Sequence, residues 1–149
     1  MGKFHGSKGV FKIDDAGGTL RDISIYIDDM QLSRKFDTPE TTGEGQGNAP
    51  VREYIPGLQD ADIAIKGSYD NAATTGSATV LAGIANAGGQ LTAGGSLSFE
   101  VHPSGTASGT PKRTGECFMT QYDESAPVNG RVSFSAGFKV SGAIANGTN

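Results

Sequence analysis

The sequence predicts a mainly β protein, an antiparallel β-sandwich or barrel with one short flanking helix and one long loop. Three observations predict it: apolar and polar residues alternate with a period of two in several segments, only one segment has helical spacing, and 23 of the 149 residues are glycine. One face of an antiparallel sheet packs on the core and the other faces water or a neighbour, which produces this alternation. The length suits one core, so we expect residues 1–149 to form a single domain.

Four segments alternate most clearly and are predicted as half-buried strands. Their apolar members are Ile23, Ile25 and Ile27; Ala61, Ile63 and Ile65; Leu97, Phe99 and Val101; and Val132, Phe134, Ala136, Phe138 and Val140. The polar residues between them, His102 among those that follow Val101, are expected on the outer face. The first segment is predicted as a strand over residues 19–27.

Weaker patterns predict further strands near residues 10–13, 30–36 and 113–122. The short break at Asp28-Asp29 predicts either a hairpin or a bulged continuation into the next strand. Asn129-Gly130 is the strongest hairpin signal in the chain, because Asn-Gly favours a tight turn between paired strands. The last two strands are therefore predicted to pair.

Residues 77–87 are the one segment with helical spacing. Val80 and Ile84 lie four residues apart, Ser77 is a candidate N-cap, and Gly88-Gly89 is expected to end the helix. Residues 38–52 contain almost no apolar side chains and are predicted as a long loop. Such a loop is either a flexible surface segment or an arm that becomes ordered against another subunit.

The charge pattern argues against a nucleic-acid or membrane protein. The chain has 16 acidic and 12 basic residues, and its basic residues cluster only as the pairs Arg34-Lys35 and Lys112-Arg113. Tight binding to nucleic acid needs several cations on one face. No apolar stretch approaches the ~20 residues that span a bilayer, and the N-terminus has no apolar run of a signal peptide. We expect synthesis in a reducing cytoplasm and no binding to membranes.

The residue types that carry chemistry show no catalytic or cofactor-binding arrangement. A structural zinc site takes about four Cys or His ligands, whereas the chain has His5, His102 and Cys117. Cys117 lies in a strand-like run and is predicted as a buried apolar group. Neither a nucleophile elbow nor a phosphate-binding loop motif occurs. We predict no catalytic residue and no cofactor.

Two acidic pairs, Asp14-Asp15 and Asp28-Asp29, are the remaining candidates for a metal site. Calcium binding would need them to come together, and their surroundings lack the spaced ligands of an EF-hand loop. They are predicted as turn carboxylates, and no metal site is predicted.

Several segments resemble the major tail tube protein of siphovirus-type phages, which have long, non-contractile tails. In order along the chain they are GGTLRDIS at 17–24, FDTPETT at 36–42, YIPGLQDA at 54–61, IAIKGSYD at 63–70, GECFMT at 115–120, SAPV at 125–128 and VSFSAGFKVSG at 132–142. Together they cover most of the chain, and their joint order carries the resemblance. The glycine-rich residues 43–52 and 88–95 have no counterpart.

The resemblance implies a structural virion protein that forms hexameric rings, which stack into a hollow tail tube. Such a tube surrounds a tape-measure protein, meets terminator and tip proteins, and later conducts the genome into the host without specific DNA binding. Two alternatives remain: the inner tube of a contractile tail or related injection device, and a β-sandwich binding or decoration module. Tryptophan is absent and aromatic residues are only 7% of the chain, which disfavours a carbohydrate-binding groove.

Overall fold

The computed structural model describes residues 5–41 and 52–149. They form β1 (Val10–Asp14), β2 (Leu20–Asp22), β3 (Ile27–Phe36), β4 (Gln59–Ser68), α1 (Ser77–Asn86), β5 (Leu97–His102), β6 (Pro111–Ser125) and β7 (Ser133–Thr148). The seven strands lie in one antiparallel sheet in the order β2-β1-β5-β6-β7-β4-β3. The predicted class, mainly β and antiparallel with one short helix, is confirmed. In the described ranges the end strands β2 and β3 do not pair, so the sheet is not a closed barrel.

The sheet curves so that its two halves share one core. Phe11 on β1 and Phe138 on β7 are three strand positions apart in the sheet, about 14 Å if the sheet were flat. Their ring centroids are 6.3 Å apart. Val80, Leu81 and Ile84 of α1 are buried in the same cluster. The architecture is therefore sandwich-like, with the helix against the core.

The alternation identified the core face of three strands correctly. The residues that are buried as predicted are Ala61, Ile63 and Ile65 on β4; Leu97, Phe99 and Val101 on β5; and Phe134, Ala136, Phe138 and Val140 on β7. Val132 precedes β7 and is 39% exposed.

The strand predicted over residues 19–27 is wrong in its second half. β2 ends at Asp22 and a 3-10 turn occupies Ser24–Tyr26, so Ile23 is buried whereas Ile25 is 86% exposed. The Asp22 carboxylate accepts hydrogen bonds from the Ser24 N–H at 2.9 Å and from the Ser24 hydroxyl. Such local bonds offer the backbone an alternative to the strand ladder, and they outweigh the alternation of three isoleucines.

β3 continues directly from this turn, with a register shift against β4 between Ile27 and Asp29. The bulged continuation is therefore the correct one of the two predictions for this break. Gly67 lies opposite Ile27, where an added Cβ would overlap the Tyr26 carbonyl. Glycine at this position allows the turn to approach β4 closely.

β6 and β7 form a long hairpin, as predicted, with Ser125 opposite Ser133 at its closed end. The connection is not the two-residue turn that Asn-Gly favours, because neither Asn129 nor Gly130 has a positive φ. Instead the Gly130 N–H donates to the Pro127 carbonyl at 3.4 Å across a seven-residue connection, 126–132.

The helix begins differently from the expectation that Ser77 caps it. Gly76 occupies the N-cap position, and the Ser77 hydroxyl instead donates to the Ser68 carbonyl at 2.7 Å and accepts from the Asp70 N–H at 3.1 Å. This serine therefore ties the helix start to the end of β4. Beyond the helix, Gly89 has a φ of +83° and its N–H donates to the Ile84 carbonyl at 2.9 Å, which ends α1 as predicted.

Candidate assembly surfaces

The outer edges of the two hairpin strands are only half paired. β6 pairs with β5 along residues 113–117, and β7 pairs with β4 along residues 133–139. In the described part of the chain, no strand pairs with the outer edge of residues 120–125 on β6 or of residues 141–148 on β7. Because β6 and β7 are adjacent, these two free edges lie on opposite sides of the hairpin and near its opposite ends. Unpaired N–H and C=O groups form a template for a strand of another chain.

The free edge of β7 also lacks the features that keep edge strands apart. Residues 141–148 read SGAIANGT and carry no charge. Charged side chains, lysine above all, are what natural proteins place on edges that must stay unpaired. β3, which ends the sheet, does carry them, since Asp28, Asp29, Arg34 and Lys35 lie on it. The β7 edge is therefore the one suited to pairing.

The base of the predicted 38–52 loop is an ordered extension of β3 and β4. Residues 37–41 and 52–58 run antiparallel, and the backbone bonds that join them are Asp37 N–H to Leu58 at 2.9 Å, Ile55 N–H to Pro39 at 3.1 Å and Thr41 N–H to Glu53 at 2.8 Å. The remainder of the loop, 42–51, lies outside the described residues.

Four large apolar side chains at this base are exposed, and we call them the apolar ridge. They are Phe36 at 61%, Tyr54 at 53%, Ile55 at 51% and Leu58 at 80%. Together they expose roughly 400 Å² of apolar surface, which is in the range of the largest patch on a typical monomer and often marks a contact with another protein. The sequence reasoning missed this ridge. The available signal was a group of apolar residues around Pro56-Gly57 that fits no alternation.

The acidic pair Asp14-Asp15 has two different environments. Asp14 is buried and accepts a hydrogen bond from the Ser98 N–H at 3.0 Å. Burial raises the pKa of Asp14, and repulsion from Glu116 adds to the increase, although the Ser98 bond opposes it. A carboxyl group in this position is more easily kept neutral than one in water.

Asp15 organises the turn between β1 and β2. Its carboxylate accepts from the N–H groups of Gly17 and Thr19 at 3.0 Å and from the Arg21 guanidinium at 2.9 Å. Burial would raise the pKa of Asp15, but these bonds outweigh it and lower the pKa. The pair is therefore a structural turn element.

The second acidic pair lies at the β3 bulge. Asp28 forms an ion pair with Arg131, which also donates to the Ser68 hydroxyl at 2.7 Å. Within residues 5–41 and 52–149, no group of three or more His, Cys, Asp or Glu side chains is placed to hold a metal ion. None of the helices in those ranges is long and apolar enough to cross a bilayer.

The three remaining candidates for chemistry have structural surroundings. His5 is exposed in an N-terminal turn, where its ring accepts from the Ser7 N–H at 3.2 Å. His102 was expected on the outer face but is buried, with its Nε2 3.1 Å from Glu100. Cys117 is buried as predicted, and this burial raises the pKa of its thiol to about 12. A thiol in this state is a poor nucleophile.

Comparison with known proteins identifies the fold. No protein-family model matches the chain, and no curated protein matches it in sequence. A chain in the tail of an empty gene transfer agent particle, determined with C6 symmetry, matches with a TM-score of 0.72 and 20% identity, over 96% of this chain and 98% of that one. A chain of the anti-feeding prophage baseplate matches with a TM-score of 0.73 and 8% identity, over 99% and 97%.

Two further structures extend the comparison. A chain of the SPP1 tail tube matches with a TM-score of 0.66 and 13% identity, over 99% of this chain and 80% of that one. The sheath–tube complex of an extracellular contractile injection system contains a chain with a TM-score of 0.68 and 14% identity, over 99% and 93%. Along almost its whole length, therefore, this chain has a fold that is also found in tails, tail tubes and contractile injection systems.

Proposed function

We propose that this chain is the tail tube subunit of a long, non-contractile phage tail. In this function it is a structural virion protein without catalytic activity, and it closes into hexameric rings that stack into a hollow tube. The genome passes through the tube into the host. The observation that carries the proposal is the half-paired β6–β7 hairpin, whose free edges, 120–125 and 141–148, await strands from other copies.

Ring closure follows from the position of these edges. Because they lie on opposite sides of the hairpin, a copy placed beside the first by rotation brings its β6 side to the first copy's β7 side. The contact joins two different surfaces, and such heterologous contacts form a closed ring when the rotation closes. Closure leaves no free edge of this kind in the ring, which protects it from uncontrolled aggregation. The likeness to a tail with C6 symmetry supports six copies.

The partners follow from the same proposal. The tube would surround a tape-measure protein and meet terminator and tip proteins at its ends, in a virion assembled in the host cytoplasm. The net charge of −4 suits a channel for DNA, because like charges prevent the counterion release that drives binding to phosphates.

A second candidate function is the inner tube of a contractile tail or injection device. The matches to the anti-feeding prophage baseplate and the sheath–tube complex favour it. Both functions use rings of this subunit, and they differ in whether a contractile sheath surrounds the tube. Electron microscopy of complete particles distinguishes them by the presence of a sheath.

Negative-stain microscopy of the purified protein with an edge variant tests the proposal. The wild type is expected to form six-fold rings and tubes. Ala145→Lys adds a charge to the free β7 edge and is expected to abolish rings, whereas Ala107→Lys in the exposed loop before β6 is the matched control and should leave them intact. A wild type that stays dispersed as monomers, or an edge variant that forms normal rings, contradicts the proposal.

A further inference from the structure

A cleft of about 330 Å³ lies at the opposite end of β3 from the apolar ridge. Its floor is apolar, formed by Phe11, Ile27 and Met30, and Asp28 and Asp29 lie at its rim. We call it the lower cleft. About 25–30 Å separate it from the ridge, since seven to nine residues of β3 lie between them.

The ridge is prepared for docking before any partner arrives. Backbone hydrogen bonds across residues 37–41 and 52–58 hold it as a two-stranded extension of the sheet. Little conformational entropy remains to be lost on contact, which favours binding by a surface of this size. Leu58, the most exposed of its four side chains, is the natural anchor.

The orientation of the two surfaces assigns them a direction in the assembly. The free edges of β6 and β7 face sideways, perpendicular to the strands, and the ring contact proposed above uses them. The ridge and the lower cleft lie at the two ends of β3, so they face along the strand direction. In a ring closed through strand edges, these two ends face the rings above and below.

We propose that the apolar ridge of one copy docks into the lower cleft of a copy in the adjacent ring, and that this contact links successive rings. The inference rests on the proposed tube function and names the axial contact within it. Ridge and cleft are different surfaces at opposite ends of the subunit, so their contact is heterologous and continues without limit, as a tube requires. At the cleft rim Asp29 is negative, and beside the ridge Arg52 is positive and three-quarters exposed.

The contact area explains why rings must form first. The ridge offers roughly 400 Å² per copy, so one docked pair buries less than the ~1,000 Å² that a stable interface needs. In a ring every copy docks at once, and linked contacts gain affinity from their high effective concentration. Free monomers therefore dock weakly, and rings dock strongly.

Two variants test the proposal from its two sides. Leu58→Asp places a charge in the ridge, and its matched control is Val128→Asp, since Val128 is a fully exposed apolar side chain at the hairpin turn. Gly6→Phe adds bulk at the cleft wall at a position where a Cβ meets no atom within 4 Å, and Gly6→Ala is its small control. Both test variants are expected to form rings but raise the concentration needed for tubes by on the order of tenfold or more. Both controls should form tubes normally.

Mixing the two defective variants gives the sharpest readout. Rings of Leu58→Asp keep an intact cleft, and rings of Gly6→Phe keep an intact ridge. Sedimentation of the mixture should therefore show pairs of rings and no longer stacks, although neither variant stacks alone. A mixture that stays as single rings overturns the proposal, as does Leu58→Asp that forms tubes at the wild-type concentration.

Cross-linking supplies a second measurement that does not depend on a variant losing function. Leu58→Cys combined with Asp29→Cys, both at exposed positions, should give a ladder of chains with a short bismaleimide in assembled tubes. Cys117 is buried and does not compete. Dimers from Leu58→Cys alone would show ridge-to-ridge contact and overturn the proposal. Tubes without cross-links overturn this inference only, whereas a wild type without rings overturns the proposed function as well.

Discussion

Phe138→Ala tests whether the face of the hairpin that stabilises the fold is distinct from the face that assembles. Phe138 is 1% exposed, lies at the centre of the core and has the ring of Phe11 at 6.3 Å. Removing a buried phenylalanine costs the transfer of its ring and the cavity that it leaves, about 3–5 kcal/mol. For a chain of this length each kcal/mol lowers Tm by about 2–4 °C. We therefore expect Tm to fall by roughly 10 °C or more.

Phe118→Ala is the matched control, because Phe118 is opposite Lys139 in the same hairpin and is 36% exposed. Its loss leaves no closed cavity and should cost about 1–2 kcal/mol. Thermal unfolding by circular dichroism, at protein concentrations below assembly, measures both variants. A Phe138→Ala variant that loses less stability than Phe118→Ala would refute the assignment of the two faces.

Three further predictions follow from the same structure. Deletion of residues 40–50 should leave the circular dichroism spectrum and the fold intact but prevent polymerisation, and a deletion variant that forms normal tubes would contradict the role of the arm. Asp14 and Asp15 should affect pH dependence in opposite ways, because the contribution of Asp14, whose pKa is raised, is present below the ordinary value of 3.8 and lost as pH rises through its folded pKa, while that of Asp15, whose pKa is lowered, is present above 3.8 and lost as pH falls through its folded pKa. At pH 7, Asp14→Asn should be at least as stable as the wild type and Asp15→Asn less stable by about 1–2 kcal/mol, and a reversed order in thermal unfolding would show that the two environments are misassigned. Cys117 should not react with a thiol reagent in the native protein and should react fully after denaturation; rapid native labelling would show that this region opens.

The sequence predicts most strongly where one physical cause dominates. β4, β5 and the first half of β7 alternate because one face packs on the core, and their buried residues were identified by that pattern alone. The turn at Ser24–Tyr26 was missed because side-chain bonds from Asp22 compete with the ladder there, and alternation does not detect such bonds.

The assembly surfaces depend on tertiary relations that no local pattern contains. The free edge at 141–148 arises because β4 pairs with β7 only as far as Lys139, which depends on the order of strands in the sheet. The ridge arises because the bases of a polar loop pair with each other and leave Leu58 outside the core. The resemblance to tail tube proteins supplied the function to be tested, whereas these surfaces could be found only in the folded chain.

Hydrogen exchange of the hairpin amides tests most directly whether sister copies complete the sheet. Outward amides of residues 120–125 and 141–148 should exchange quickly in monomers held below the assembly concentration and become strongly protected in tubes. Amides of residues 133–139, which β4 already pairs, should be protected in both states. Equal exchange of the two free edges in monomers and assembled protein would contradict the account.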